Sequence, residues 1–192
     1  LEPHHRNHRC RHTLPGRWAP GTSGIPPEGS MLHRLLTGSF KGDPEAQAKC
    51  DLLAEVCGSA ALGYATRLVQ PRAVVLHGKT AENGKSQILD LARGLLPASA
   101  ICCVPAAKMG DERHVTGLVG KLLNASDEVS PDAIASNIFK SGVTGEPIEG
   151  RDVYKSRVEF RSVAQNLFAA NQLPSFKGGV DRGVQRRLLL IP

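Results

Sequence analysis

Apolar positions along the chain follow two regimes, with the change near Pro71. From Met31 to about Val69 the spacing is helical: Leu32, Leu35 and Leu36, then Leu52, Leu53 and Val56, recur as one face of a helix requires. Gly38 and Gly42-Asp43-Pro44 divide this region into two helices, with Asp43 and Pro44 suited to a cap and a first-turn position. After Pro71, short apolar runs alternate with helical stretches. Ala73-Val74-Val75-Leu76-His77 reads as a buried strand, followed by a Gly-containing loop and a helix from about Gly84 to Leu96. Further strands are predicted over 100–104, 121–126, 165–170 and 187–191. Strands separated by helices predict an α/β fold, a mostly parallel sheet flanked by helices, behind a small N-terminal helical region. Residues 1–30 show no apolar period and read as an irregular, basic lead-in. The organisation is then a lead-in and helical region over 1–70 and a core over 71–192.

Composition adds boundaries to this picture. No apolar run approaches the roughly 18 to 20 residues that span a bilayer, and the His- and Arg-rich start lacks the apolar stretch of a signal peptide. A cytoplasmic protein with no membrane partner is expected. The five cysteines form no framework: Cys102 and Cys103 are adjacent, and Cys50 and Cys57 lie seven apart on a predicted helix. Reduced, buried thiols are the expectation. The net charge of +6 is uneven, at +3 over residues 1–50, −2 over 51–150 and +5 over 151–192. A basic tail on a near-neutral core suits a face for phosphate, and a solvated surface explains the charge equally well. The chain begins at Leu1 and stops at Pro192 within an apolar run, which reads as a piece truncated at its C-terminus.

The most informative segment is Leu76-His77-Gly78-Lys79-Thr80-Ala81-Glu82-Asn83-Gly84-Lys85-Ser86. A buried strand runs into a loop ending Gly-Lys-Ser, and a helix follows at once. Phosphate binding needs this context, because loop and helix N-terminal N–H groups point at the anion where the helix dipole is positive. Gly78, Asn83, Gly84, Lys85 and Ser86 are the candidate ATP-binding residues, with Lys85 reaching the β- and γ-phosphates and the Ser86 hydroxyl binding Mg2+. Five residues separate Gly78 from Gly84 where four are usual. Either Gly78 is displaced by a longer loop, or Lys79 occupies the first-glycine position.

An acidic partner is expected on a neighbouring strand. Leu122-Leu123-Asn124-Ala125-Ser126-Asp127-Glu128 places two carboxylates where an apolar strand leaves the sheet. Asp127 would hold Mg2+ and Glu128 would orient and polarise the attacking water. A helix cap is the plainer reading of such a pair alone. Asn171, after Leu167-Phe168-Ala169-Ala170, can position water near a γ-phosphate, or simply start a turn before Pro174.

In order along the chain, Gly84-Lys85-Ser86, Asn124 to Glu128, Phe139 to Ile148, Phe168 to Pro174 and Arg186 to Pro192 resemble superfamily 3 helicases. They look most like the C-terminal helicase domain of phage and plasmid primases. The resemblance covers about residues 40–192, and Gly58 and Gly63-Tyr64 also fit it. It implies a P-loop ATPase (AAA+-like) fold with a Walker A loop, a Walker B pair at Asp127 and Glu128, and a Lys-led segment forming a β-hairpin. It also implies a sensor at Asn171 and an arginine finger at Arg187 or its neighbour Arg186, reaching the adjacent subunit. Glu146 stands where the family often has Asp. The implied protein is an ATP-dependent DNA helicase core of a phage- or plasmid-type replication protein, acting as a homo-hexamer in a bacterial host. An upstream primase domain fits the same resemblance.

The residues around the hairpin agree. Pro147 to Arg151 and Val158 to Arg161 flank Tyr154-Lys155-Ser156-Arg157, a basic turn. Lys140, Arg151, Lys155 and Arg157 are the candidate contacts to single-stranded DNA, tracking phosphates by charge, since aromatics make up only 4% of the chain. An exposed basic hairpin without a ligand is the alternative. His4, His5, His8, Cys10 and His12 match no paired metal-ligand spacing and read as a flexible lead-in. Two other functions stay open: a P-loop small-molecule kinase, for which no lid or acceptor-activating group is evident, and a non-motor nucleotide- and DNA-binding fragment.

Overall fold

The computed structural model describes residues 5, 7, 10–16, 19, 21, 24, 26–78, 83–127, 133–151 and 156–192. Two helices, α1 (Met31–Ser39) and α2 (Ala46–Ala61), precede strand β1 (Ala73–His77). Helix α3 (Lys85–Gly94), β2 (Ile101–Cys102), the short α4 (Glu112–Val115) and β3 (Leu123–Ser126) follow. Then come α5 (Ser136–Thr144), the hairpin β4 (Pro147–Gly150) and β5 (Val158–Arg161), β6 (Gln165–Ala170), α6 (Arg182–Gln185) and β7 (Leu188–Ile191). The main sheet has the order β2-β3-β6-β1-β7, and every neighbouring pair in it is parallel.

Burial on both faces explains the continuous apolar runs of β1 and β6. Val74, Leu76, Leu123, Ala125, Leu167 and Ala169 pack against Leu53 and Val56 of α2 and Ile88 and Leu89 of α3. Ala73, Val75, Phe168 and Ala170 face the other way, onto Met109, Leu118, Phe139 and Val143. Helix α2 thus shares one core with the sheet.

Strand β3 begins at Leu123 rather than Lys121 and β7 at Leu188 rather than Arg187, and two further expectations change for a local reason. Strand β2 is two residues long rather than five, because a side chain takes over from the backbone ladder. The Asn124 Oδ1 accepts from Val104 N at 2.7 Å, and Asn124 Nδ2 donates to Val104 O at 3.0 Å and to Asn166 Oδ1 at 3.0 Å. Both asparagines are buried, and Asn166 in turn donates to Gly142 O in α5 at 3.5 Å. Asp43 does not cap α2. The cap position is Glu45, whose N–H donates to Asp43 Oδ1 at 2.8 Å, while the other Asp43 oxygen pairs with the buried Lys49. The Lys49 hydrogen bond holds the Asp43 carboxyl below its ordinary range.

None of the five cysteines is in a disulfide. They are not all buried as expected: Cys10 and Cys103 are exposed and Cys50, Cys57 and Cys102 half-buried. Burial pushes the Cys102 thiol up to about 12. No helix among the described residues is long and apolar enough to cross a membrane.

Candidate functional site

The site is built where parallel strands end. β6 lies between β1 and β3, paired through Leu76↔Ala169 and His77↔Ala170 on one side and Ser126↔Phe168 on the other. The ladder continues past β1, since Gly78 N donates to Ala170 O at 3.1 Å. Asn171 therefore leaves the sheet beside Gly78, with Asp127 leaving from the next strand over. Strand alternation also sets the face. Asp127 follows Leu123 and Ala125, and Asn171 follows Leu167 and Ala169, on the side that packs against α3. Loop-carried polar groups at strand ends above a helix N-terminus are the usual place for a ligand in an open α/β sheet.

Residues 79–82 lie outside the described set, and the loop is picked up again at Asn83 and Gly84. Gly84 has φ of +80°, and a Cβ there would sit 2.6 Å from Ser39 Oγ of α1. Both the left-handed backbone and the close approach require glycine. Helix α3 starts at the next residue, so Lys85 and Ser86 sit in its first turn with N–H groups that have no intrahelical acceptor. The Lys85 ammonium folds back across the loop, donating to Gly78 O at 3.0 Å and Asn83 Oδ1 at 2.7 Å. The loop's own oxygens thus hold the ammonium where an anion above the helix N-terminus would meet it. Ser86 is exposed. Beside the loop, Arg34, Gly38, Ser39, Asn83, Gly84 and Gln87 line a cleft of 340 Å³ between α1 and α3. The sequence carried no sign that α1 would border the loop.

Asp127 has a partner that sequence reading missed. Arg93, near the end of α3, donates to Asp127 Oδ2 at 3.0 Å, to Ala125 O at 3.1 Å and to Asp90 Oδ1 at 2.8 Å. Burial works against the guanidinium charge, but the bonds to Asp127 and Asp90 outweigh it and hold Arg93 above its ordinary value. Glu128 lies outside the described residues.

The two candidate finger arginines differ. Arg187 is buried, with Nη1 donating to Gly183 O at 3.0 Å and Nη2 3.9 Å from Glu146 Oε1. Its Nε has no hydrogen-bond partner among the described residues. Arg186 is exposed. Both precede β7, whose first residue Leu188 pairs with Ala73 at the start of β1. They sit at the end of the strands opposite Gly78, about 17 Å away along β1.

The basic candidates are split as well. Lys140 stands in α5, before the hairpin rather than on it, and pairs with Asp181 Oδ2 at 2.6 Å. Asp181 caps α6 through Val184 N, and the Lys140 bond keeps its carboxyl below the ordinary range. Arg151 and Arg157 flank the hairpin tip and are exposed, Arg157 lying 3.7 Å from Glu149. Lys155 is outside the described residues.

Comparison with known proteins agrees with this architecture. The model of a family of unknown function (DUF5906) matches residues 76–187, more than half of the chain. A search of curated proteins finds no match. Among solved structures, the A form apo structure of the NrS-1 C-terminal region matches with a TM-score of 0.57 at 19% identity, over 83% of this chain. A second apo structure of that region, residues 305–718, matches with a TM-score of 0.57 at 17% identity. The chain spans 36% of the length of the first of these. At such identity the likeness is one of fold.

Proposed function

The chain belongs to the DUF5906 family, and we propose that it is the ATPase core of a DNA helicase from a phage- or plasmid-type replication protein. The observation that carries this reading is the position of β6 between β1 and β3. That order puts Asn171 between Gly78 and Asp127 at neighbouring strand ends, which supports a site that holds a nucleoside triphosphate and aims a water at its γ-phosphate. The resemblance of the ordered motifs to superfamily 3 helicases of phage and plasmid primases points the same way.

In this reading the first-turn N–H groups of α3 and the Lys85 ammonium bind the triphosphate, Lys85 exchanging Gly78 O and Asn83 Oδ1 for phosphate oxygens. Glu128 orients and polarises the attacking water, and Asn171 helps to position it. Ser86 and Asp127 supply the oxygen donors that suit Mg2+, which when bound would neutralise charge on the phosphates. A hydroxyl and a carboxylate are hard oxygen donors of the kind the ion takes, while the helix N-terminus suits the phosphates.

The arginines at the opposite end of the strands cannot serve their own loop. Arg186, exposed, would complete the site of an adjacent copy in a ring, a homo-hexamer by family resemblance, while hairpin residues Arg151, Lys155 and Arg157 track single-stranded DNA. ATP turnover measured across protein concentration, with and without single-stranded DNA and beside Lys85→Ala, tests this. DNA-stimulated turnover that rises more than linearly with protein and vanishes in the variant is expected. Turnover linear in protein and indifferent to DNA would instead fit a self-contained P-loop enzyme such as a small-molecule kinase.

A further inference from the structure

A second basic site lies at the end of the sheet opposite the phosphate loop, where β3 and β6 begin. A pocket of 480 Å³ there is lined by Arg11, His12, Arg67 and Arg161, with Leu62 and Leu122 among its apolar walls. The three arginines come from separate segments: the N-terminal stretch, the 3-10 turn Ala65–Arg67 after α2, and the end of β5. Among the described residues no carboxylate lines the pocket.

Local contacts fix this convergence. His12 Nε2 lies 2.9 Å from Gly120 O, and its Nδ1 lies 3.4 Å from Ser99 Oγ, which pins the N-terminal segment across the turn before β3. Arg161 Nη1 donates to Gly145 O at 3.2 Å, and Arg11 Nη1 lies 3.3 Å from the place a Cβ on Gly120 would take. Gathering guanidinium groups around one cavity without a carboxylate raises the local positive potential, which favours an anion with several oxygens.

We propose that this pocket binds phosphates of a single nucleic-acid strand that also passes the β4–β5 hairpin. The choice of nucleic acid rests on the helicase reading; the anion chemistry does not. β5 joins the two places, since Arg157 flanks the hairpin tip and Arg161 lines the pocket. They are four positions apart along extended chain, about 13 Å, a span of a few phosphates. The apolar wall gives sugars and bases a surface beside the charges.

The test measures a fluorescent oligo-dT binding to the whole chain across KCl concentration. Wild type is compared with Arg11→Ala/Arg67→Ala, both exposed positions, and with Arg157→Ala. The double variant should weaken binding about tenfold and lower the salt slope by about two, with ATP binding unchanged. Oligo-dT should also slow maleimide labelling of Cys10, which lines the pocket, and not of exposed Cys103. Full affinity in the double variant with loss in Arg157→Ala would overturn the pocket while leaving the helicase reading intact. Protection of Cys10 by inorganic phosphate but not by oligo-dT would overturn the nucleic-acid assignment. No oligonucleotide binding by wild type would overturn both.

Discussion

Arg93 and Asp127, separated by 34 positions, form an ion pair of 3.0 Å that ties α3 to the end of β3. On the proposed reading of Asp127 as a Mg2+ ligand, the guanidinium would compete with the ion for the carboxylate. Arg93→Ala should therefore lower the Mg2+ concentration for half-maximal nucleotide binding several-fold, with Arg93→Lys intermediate. Titration of Mg2+ against a fluorescent ATP analogue reads this, and an unchanged midpoint would remove Asp127 from the metal site. The effect on stability should be under about 1 kcal/mol, because both side chains are partly exposed.

Lys85 is held by loop oxygens rather than core packing, so Lys85→Ala should leave the unfolding temperature in plain buffer nearly unchanged. Saturating ATP at about a hundred times its Kd should stabilise the wild type by about 2.7 kcal/mol and the variant hardly at all. Thermal shift with and without ATP distinguishes this from simple destabilisation.

The consecutive arginines should behave differently. Arg186→Ala should abolish turnover yet fold normally, and mixing it with Lys85→Ala should restore activity. In a site shared between copies, as proposed, each protein would lack a different half, so mixed interfaces would regain one complete copy. Arg187→Ala should instead destabilise the chain, as it removes a buried group bonded to Gly183 and near Glu146. Failure of the mixture to recover turnover would argue against a site completed in trans.

Asn124→Ala should cost about 2 to 4 kcal/mol in urea unfolding, because it strands the buried Val104 N–H and C=O together with Asn166. An unchanged urea midpoint would show that the edge strand can repair its own ladder.

Asp181 and Asp43 have depressed carboxyl values, caused first by Lys140 and Lys49 respectively. A depressed folded value contributes stability above the unfolded value of about 3.9, lost as pH falls through the folded one. Asp181→Asn should thus flatten the loss of stability below about pH 4. Lys140→Ala should loosen the α5–α6 contact without weakening DNA binding, and a loss of DNA affinity would return Lys140 to the DNA contacts.

Much of the fold was legible because parallel strands buried on two faces leave unbroken apolar runs. β1 and β6 occupy the predicted residues, and both hairpin arms fall where the turn-flanking pattern set them. The Gly-Lys-Ser at a strand–helix junction marked the helix start to within one residue, since φ at Gly84 admits little else. What the sequence determined by itself is therefore local: period, apolar runs and glycine punctuation. The tertiary structure alone decided that Asn124 would replace part of β2, that Arg93 would hold Asp127, and that Arg187 would turn inward while Arg186 faced solvent. It also brought Arg11, Arg67 and Arg161 around one pocket. These relationships join polar side chains far apart in the chain, or separate neighbours of identical chemistry. Polar pairing leaves no period in a sequence, and only the packing of helices on the sheet settles which groups meet.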